Sequence, residues 1–249
     1  MASGKVNKNF KLVVKKMKIV LINGQNHKGS TYHIGRMLAE KISENITEFF
    51  LPRDFSDYCI GCSQCFSVCA QKCPHYNSQQ KILNALDEAD LIILTSPVYV
   101  YHVSAPMKNF LDHQGHRWMV HRPNPSMFRK QAVCISTAAG AGMRSTNKDM
   151  ADSLFFWGIP KIYKIGIAVQ AVNWDGVTSE KKQYIEKKVT KISRKIIHRN
   201  GKVIPGIKTK GFFYIMRMIQ SKFGWCEPDV KYWTEMGWTK KERPWKEKK

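Results

Sequence analysis

The stretch KIVLINGQNHKGST, Lys18 to Thr31, is an apolar run that breaks at Gly24, reaches a second glycine at Gly29 and meets two hydroxyls, Ser30 and Thr31, where a helical pattern begins. A strand, a glycine loop and a helix N-terminus in that order form a cradle for an anion. The first amides of a helix have no partner within it, and its aligned peptide dipoles favour negative charge at that end. A phosphate is held there without a cationic side chain, with the Ser30 and Thr31 hydroxyls as further donors. Gly24 and Gly29 bracket four residues, as in a nucleoside triphosphate loop, but Ser30 stands where that motif requires Lys. The spacing fits a monophosphate and disfavours triphosphate hydrolysis.

Downstream of this turn, short apolar runs alternate with longer helical stretches, the pattern of a parallel sheet with helices on both faces. Strands are expected over 18–22, 47–51, 91–95, 131–136 and 162–169, and helices over 31–43, 78–88, 105–112, 144–157 and 179–199. Five parallel strands with short connections imply a flavodoxin-like, doubly wound α/β fold of three α/β/α layers. Its ligand lies at the carboxyl ends of the strands that flank the switch point.

A chain of 249 residues with 43% hydrophobic content buries a substantial core. The expected organisation is a basic N-terminal arm over 1–16, a main domain over 17–200 with a cysteine-rich insertion at 59–73, and a C-terminal extension over 201–249. No apolar run is long enough to span a membrane, and the patch Leu12, Val13, Val14 is too short for a secretory signal. A cytoplasmic location is expected. The net charge of +22 raises nucleic acid or an anionic membrane as partners. The excess is spread over the arm, the 181–199 stretch and the tail, however. In the second of these, Ile185, Val189, Ile192 and Ile196 fall at helical spacing and leave the lysines on a solvated face. Neither nucleic acid nor a membrane surface is expected as a partner.

Three loops follow strands on the same sheet edge, at 24–31, 96–104 and 137–144, and are expected to converge. The second, SPVYVYHVS, is stiffened by Pro97 and offers apolar surface from Val98, Tyr99, Val100 and Tyr101. The third, TAAGAGMR, lets backbone amides approach a ligand through the small residues Ala138, Ala139, Gly140 and Gly142 after Thr137. Each loop alone also reads as packing or a plain turn. Together they suit a flat heterocycle with a phosphate tail.

These residues give the chain a resemblance to the NADPH-dependent FMN reductase family of flavodoxin-like proteins. The family's phosphate loop, roughly G-S-P-R-x-x-[SN]-T, is met here by Gly24, Gln25, Asn26, His27, Ser30 and Thr31. Its second signature, roughly S-P-V-Y-x-x-x-x-S-x-x-[ML]-K-x-F-x-D, is met by Ser96, Pro97, Val98, Tyr99, Ser104, Met107, Lys108, Phe110 and Asp112. The resemblance covers about the first 170 residues, and the DVKYWTEMGW ending from Asp229 resembles extensions of some members. It implies FMN, with its phosphate on Gln25, His27, Ser30 and Thr31, its ring edge on Pro97 to Tyr101, and its pyrimidine side against Thr137, Ala138, Ala139, Gly140 and Gly142. Gln25 and His27 replace the usual Ser and Arg, so the phosphate loses a hydroxyl and a permanent cation. The implied chemistry is two-step, with NADPH or NADH reducing the flavin and an acceptor reoxidising it. No side-chain acid or base is required, although Tyr99 and His102 lie near in sequence. Members often form homodimers with the flavin near the interface.

Five of the seven cysteines fall between Cys59 and Cys73, a density that suits ligands or redox chemistry better than a disulfide framework. Cys59, Cys62, Cys65 and Cys69 have the C-x2-C-x2-C-x3-C spacing of ferredoxin ligands. Resemblance to the iron-sulfur flavoprotein branch of the same family implies a [4Fe-4S] cluster on Cys59, Cys62, Cys65 and Cys73, with Cys69 as the alternative fourth ligand. Zinc on four of these thiols, with His75, is a second reading, and free redox-sensitive thiols are a third. Cys134, in an expected strand, and Cys226, in the tail, read as packing residues. From Gly211, GFFYIMRMIQSKFGW reads as an amphipathic helix that covers an apolar patch of its own domain or a second subunit rather than a membrane.

The combined expectation is an FMN-dependent NAD(P)H oxidoreductase that passes reducing equivalents to a small-molecule or protein acceptor. Its rivals are an iron-sulfur flavoprotein acting as an electron carrier without nicotinamide turnover, and a zinc-containing basic module that binds nucleic acid.

Overall fold

The computed structural model describes residues 17–246; the expected arm over 1–16 lies outside them. Five strands, β1 (Ile19–Asn23), β2 (Ile46–Phe50), β3 (Leu91–Pro97), β4 (Gln131–Ala138) and β5 (Lys161–Ala168), pair in parallel in the order β2-β1-β3-β4-β5. That is the flavodoxin-like order, with its switch point between β1 and β3. β1 is buried at every position, and β3 and β4 are buried at all but their last. Strands buried along nearly their whole length require a sheet covered on both faces.

Alternate residues of each strand feed separate cores. Ile19, Leu21, Ile93 and Ile135 face α1 (Ser30–Glu40) and α5 (Ser179–Arg199), whose Ile34, Leu38, Ile185, Val189 and Ile196 are buried against them. Val20, Ile22, Ile92 and Leu94 pack on the other face with Ile82 and Leu86 of α2 (Tyr76–Glu88), Met107 and Phe110 of α3 (Ala105–His113), and Met150 and Leu154 of α4 (Met143–Phe156). On α5, Lys187, Lys191, Arg194 and Lys195 are exposed, the solvated face that the spacing of its isoleucines requires.

Element ends differ from expectation by a few residues. The helix expected over 31–43 stops at Glu40, because the Ile42 and Ser43 amides both turn back to Ala39 O and close it. β3 and β4 run two residues further than expected, since Ser96 and Pro97 stay in register with Ser136 and Thr137. Beyond α5, α6 (Ile207–Lys222) and α7 (Glu227–Glu235) form a third core in which Phe213, Met216, Trp233 and Trp238 enclose Met119 and Phe128 of the main domain. The extension thus covers its own domain, and among the described residues no helix is long and apolar enough to cross a membrane.

Candidate active site and cysteine cavity

The turn after β1 is held from below by Gly24, whose amide donates to Thr95 O at 2.7 Å and whose carbonyl accepts from Ser104 Oγ. A Cβ at Gly24 would stand 2.8 Å from Ser104 Oγ and 2.9 Å from Thr95 O, so only glycine lets the chain pass so close to β3. Gln25, Ser30 and Thr31 are buried, while Asn26, His27 and Lys28 are exposed. Gln25 Nε2 donates to His27 O at 3.2 Å and braces the turn.

α1 begins on Gly29 with no side-chain cap and no acid in its first turn. Among the described residues, the Ser30, Thr31 and Tyr32 amides and those of 25–28 donate to no carbonyl or side chain. A row of unclaimed amides at a helix start fits a phosphate group, whose oxygens would satisfy them.

The other two loops close on this turn. Thr137 Oγ1, buried at the end of β4, shares a 2.5 Å hydrogen bond with Thr31 Oγ1. Val98 N donates to Thr137 O at 2.9 Å, and Ser145 Oγ donates to Tyr101 O, joining the second loop to the third. Gly142 takes φ +93°, and a Cβ there would lie 2.5 Å from Val98 Cγ1. Between its ends, Tyr99 and His102 exchange both backbone hydrogen bonds at 3.0 Å around Val100 and Tyr101, which sit at φ 49° and 67°. Val100 is 93% exposed at the tip, and Tyr99 and Tyr101 are also exposed. Ala139 and Gly140 are exposed opposite, and nothing lies within 4 Å of a Cβ built at Gly140. The three loops therefore make an open shelf with apolar residues on one side and free backbone on the other, which fits a flat ring attached to a phosphate. His102 is turned aside from it, with Nδ1 3.0 Å from Asp149 Oδ2.

The cysteine segment after β2 forms a second site. Cys59, Cys62, Cys65 and Cys73 line one small cavity with His75, Asp112 and His113; Cys69 is not among its lining residues. Burial first, then the neighbouring thiols of Cys73, Cys59 and Cys62, push the Cys65 thiol up, and burial also pushes up Cys73. Thiols raised in this way are poor free nucleophiles. The same thiols so close together form a donor set that a metal centre would deprotonate and neutralise, which fits an iron-sulfur cluster or a zinc ion. Cys134 is fully buried in β4, and burial pushes its thiol up as well. Cys226 packs against the cysteine segment, with its Sγ 3.6 Å from Phe66 O.

Residues with no sequence signal of their own hold this cavity. Asn109 of α3 donates to Asp57 O at 2.8 Å and accepts from Cys59 N at 3.4 Å, pinning the start of the segment. Arg122 donates to the carbonyls of Cys65 and Phe66 and pairs with the buried Asp229 of α7. His113, buried in the last turn of α3, brings its Nε2 to 3.1 Å from His75 Nδ1. Asn109 and His113 fall inside or next to the Ser104 to Asp112 signature, but their contacts are tertiary. α3 is capped by Ser104 at the shelf and ends with His113 in the cavity, so it bridges the two sites over about 13 Å.

An iron-sulfur flavoprotein of Archaeoglobus fulgidus is 32% identical over 118 residues, 45% of this chain and 50% of that protein. An iron-sulfur flavoprotein of Methanocaldococcus jannaschii is 38% identical over 100 residues, 39% of this chain and 51% of that protein. The chain thus spans about half the length of the curated relatives it matches. Among solved structures, an azoreductase from Bacillus anthracis superposes with a TM-score of 0.55 at 12% identity, covering 72% of this chain and 99% of that one. An FMN-dependent NADH-azoreductase from the same species, solved with FMN, gives 0.52 at 12% identity over 71% and 99%. These likenesses share the fold. The sequence profile of one family matches residues 17–173, which contain all five strands, the three loops and the cysteine cavity, and the chain belongs to that family, the NADPH-dependent FMN reductases.

Proposed function

We propose that the chain is an FMN-dependent NAD(P)H oxidoreductase of the cytoplasm that passes reducing equivalents to a small-molecule or protein acceptor. The observation that carries this reading is the convergence of three loops on a helix start whose amides are unclaimed. The amides of 25–28 and of Ser30 and Thr31 would hold the phosphate, with Gln25 and His27 beside it. Pro97 to Tyr101 would support the ring, and the amides of 139–142 would face the pyrimidine edge, where backbone donors stabilise developing negative charge. Bound FMN supplies the chemistry, taking two electrons from a nicotinamide and giving them to an acceptor. The family's description as NADPH-dependent FMN reductases and the FMN-bound azoreductase neighbour support the cofactor and its donor.

In the same reading, Cys59, Cys62, Cys65 and Cys73 hold a [4Fe-4S] cluster, supported by their shared cavity and by relatives named as iron-sulfur flavoproteins. Those names also favour a second reading, an electron carrier with flavin and cluster but no nicotinamide turnover. Exposed Val100 and Tyr101 on the shelf, and Ile207, Ile215 and Met218 on the outward side of α6, support a homodimer that covers apolar surface.

The test is anaerobic purification followed by an absorption spectrum and steady-state kinetics. Flavin bands with NADPH or NADH oxidation in the presence of a quinone are expected. Flavin bands without turnover favour the carrier, and protein that takes up no FMN on titration overturns both.

A further inference from the structure

We propose that Cys73, His75 and His113 form a binding site for a single divalent transition-metal ion of the zinc or ferrous class, separate in composition from an all-thiolate cluster. The Cys73 Sγ and a ring nitrogen from each histidine all lie within 4.8 Å of one another. His75 Nδ1 and His113 Nε2 are 3.1 Å apart. Two nitrogens bound to one tetrahedral ion at about 2.0–2.1 Å stand roughly 3.3 Å apart, so the spacing suits ligation once an ion replaces the hydrogen that His75 Nδ1 donates to His113 Nε2 and the His75 hydrogen moves to its Nε2.

His113 is oriented as a metal-bound imidazole is. Its Nδ1 lies 2.9 Å from Asn109 O, and a carbonyl only accepts, so Nδ1 carries the hydrogen and Nε2 presents its lone pair to the cavity. Metal-ligating histidines characteristically donate their second nitrogen to a carbonyl or carboxylate in this way. The edge of Phe55 against the ring, with centroids 4.8 Å apart, and 5% exposure fix that direction.

The other two ligands are placed with equal economy. Cys73 and His75 flank Pro74 just before α2, and His113 ends α3, so the donors come from the ends of two packed helices rather than from a free loop. Behind Cys73, Gln79 Nε2 stands 4.0 Å from Sγ, and Gln79 Oε1 accepts from Gln114 Nε2 at 2.8 Å, a buried outer layer behind the sulfur. Three protein ligands leave the fourth position facing the cavity that Cys59, Cys62 and Cys65 also line. Because Cys73 has one thiolate, an ion held here and a cluster that uses Cys73 exclude each other.

The test is a titration of the full-length apoprotein, stripped by chelator without oxygen, with Co2+ as the probe. The expected result is one equivalent bound with tetrahedral d–d bands and a thiolate charge-transfer band. His75→Gln and His113→Gln are expected to weaken binding at least tenfold, and Cys69→Ser to leave it unchanged. Because His113 is buried and its loss can unfold the chain, the half-buried His75 gives the deciding variant. X-ray absorption of the zinc-loaded protein is expected to show a mixed nitrogen and sulfur shell. A wild type that binds no Co2+, histidine variants that bind like wild type, or a shell of four sulfurs each overturns the proposal. The cluster reading fails separately, on a wild type that takes up no iron and sulfide in anaerobic reconstitution, a result that leaves the Co2+ titration and its histidine variants to decide the ion site.

Discussion

Val100 and Tyr101 hold positive φ angles at the tip of the second loop, a conformation that costs a β-branched or aromatic residue about 1–3 kcal/mol. Val100 buries almost nothing in return; the Tyr99–His102 backbone pair and Ser145 hold the turn, and a contact with a ligand or a second copy would offset the rest of the strain. Val100→Asn, which tolerates this backbone, is expected to raise the stability of the flavin-free protein by about 1 kcal/mol and to weaken FMN binding. Urea unfolding and flavin titration read the two effects, and an unchanged flavin affinity would show the tip to be only a turn. Lys130 is the opposite case, a buried charge whose Nζ donates to Leu86 O at 2.7 Å and Asp87 O at 2.6 Å. Burial pushes its pKa down to about 8, below the lysine value of 10.5. Between those pH values the unfolded chain binds a proton that the folded chain does not, so stability climbs with pH across that window, and the cost is fully present below it. From pH 8 to 10 the wild type is expected to gain about 2 kcal/mol relative to Lys130→Met in urea unfolding.

At the scale of elements, the N-terminus of α1 is left uncapped where Ser, Thr, Asp or Asn commonly stands. If those amides are kept for a phosphate, a side-chain cap should improve the helix and spoil the site. The atoms nearest a Cβ at Gly29 are the ends of the Gln25 and His27 side chains, which can move, and its φ of −80° suits any residue. Gly29→Asp is therefore expected to stabilise the flavin-free protein by about 0.5–1 kcal/mol and to lower FMN affinity more than tenfold. A thermal melt and a flavin titration check the two signs, and movement of both in the same direction would contradict the phosphate seat. This turn, the strands and the shelf were legible because each is written locally. β1 reads as apolar from Ile19 to Ile22 since both faces of the sheet are covered, and Val98 and Tyr99 follow β3 without a gap. The uncapped amides could be inferred from Gly29, but the left-handed Val100 and Tyr101 could not, because neither residue type favours that backbone. Nor could the choice between Cys69 and Cys73 be read from spacing alone, since the 3-10 turn Ala70–Lys72 between them decides which sulfur faces the cavity.

Across the whole molecule, the extension does more than cover apolar surface. Asp229, 1% exposed, accepts from His121 Nδ1 at 2.7 Å and pairs with Arg122, whose guanidinium also donates to the carbonyls of Cys65 and Phe66. Trp233 Nε1 donates to His121 O and Tyr232 Oη to Pro123 O, both at 2.7 Å, so α7 grips the 121–123 segment from two sides. None of this follows from the DVKYWTEMGW pattern, because the partners lie more than a hundred residues earlier and are brought together only by the third core. The chain of contacts makes α7 a clamp on the cysteine segment, acting through Arg122. Asp229→Asn keeps the volume but leaves Arg122 charged in a side chain that is 12% exposed, and removing one partner of a buried pair costs about 3–5 kcal/mol. The released segment is expected to open locally before the sheet does, since the sheet's two cores contain none of these residues. Alkylation of Cys65 and Cys73 in the metal-free protein should then accelerate several-fold, while FMN affinity, set at the far end of α3, stays within twofold of wild type. Mass spectrometry of timed alkylation measures the first and flavin titration the second. Equal alkylation rates in the two proteins would mean that the cysteine segment holds its shape without the extension.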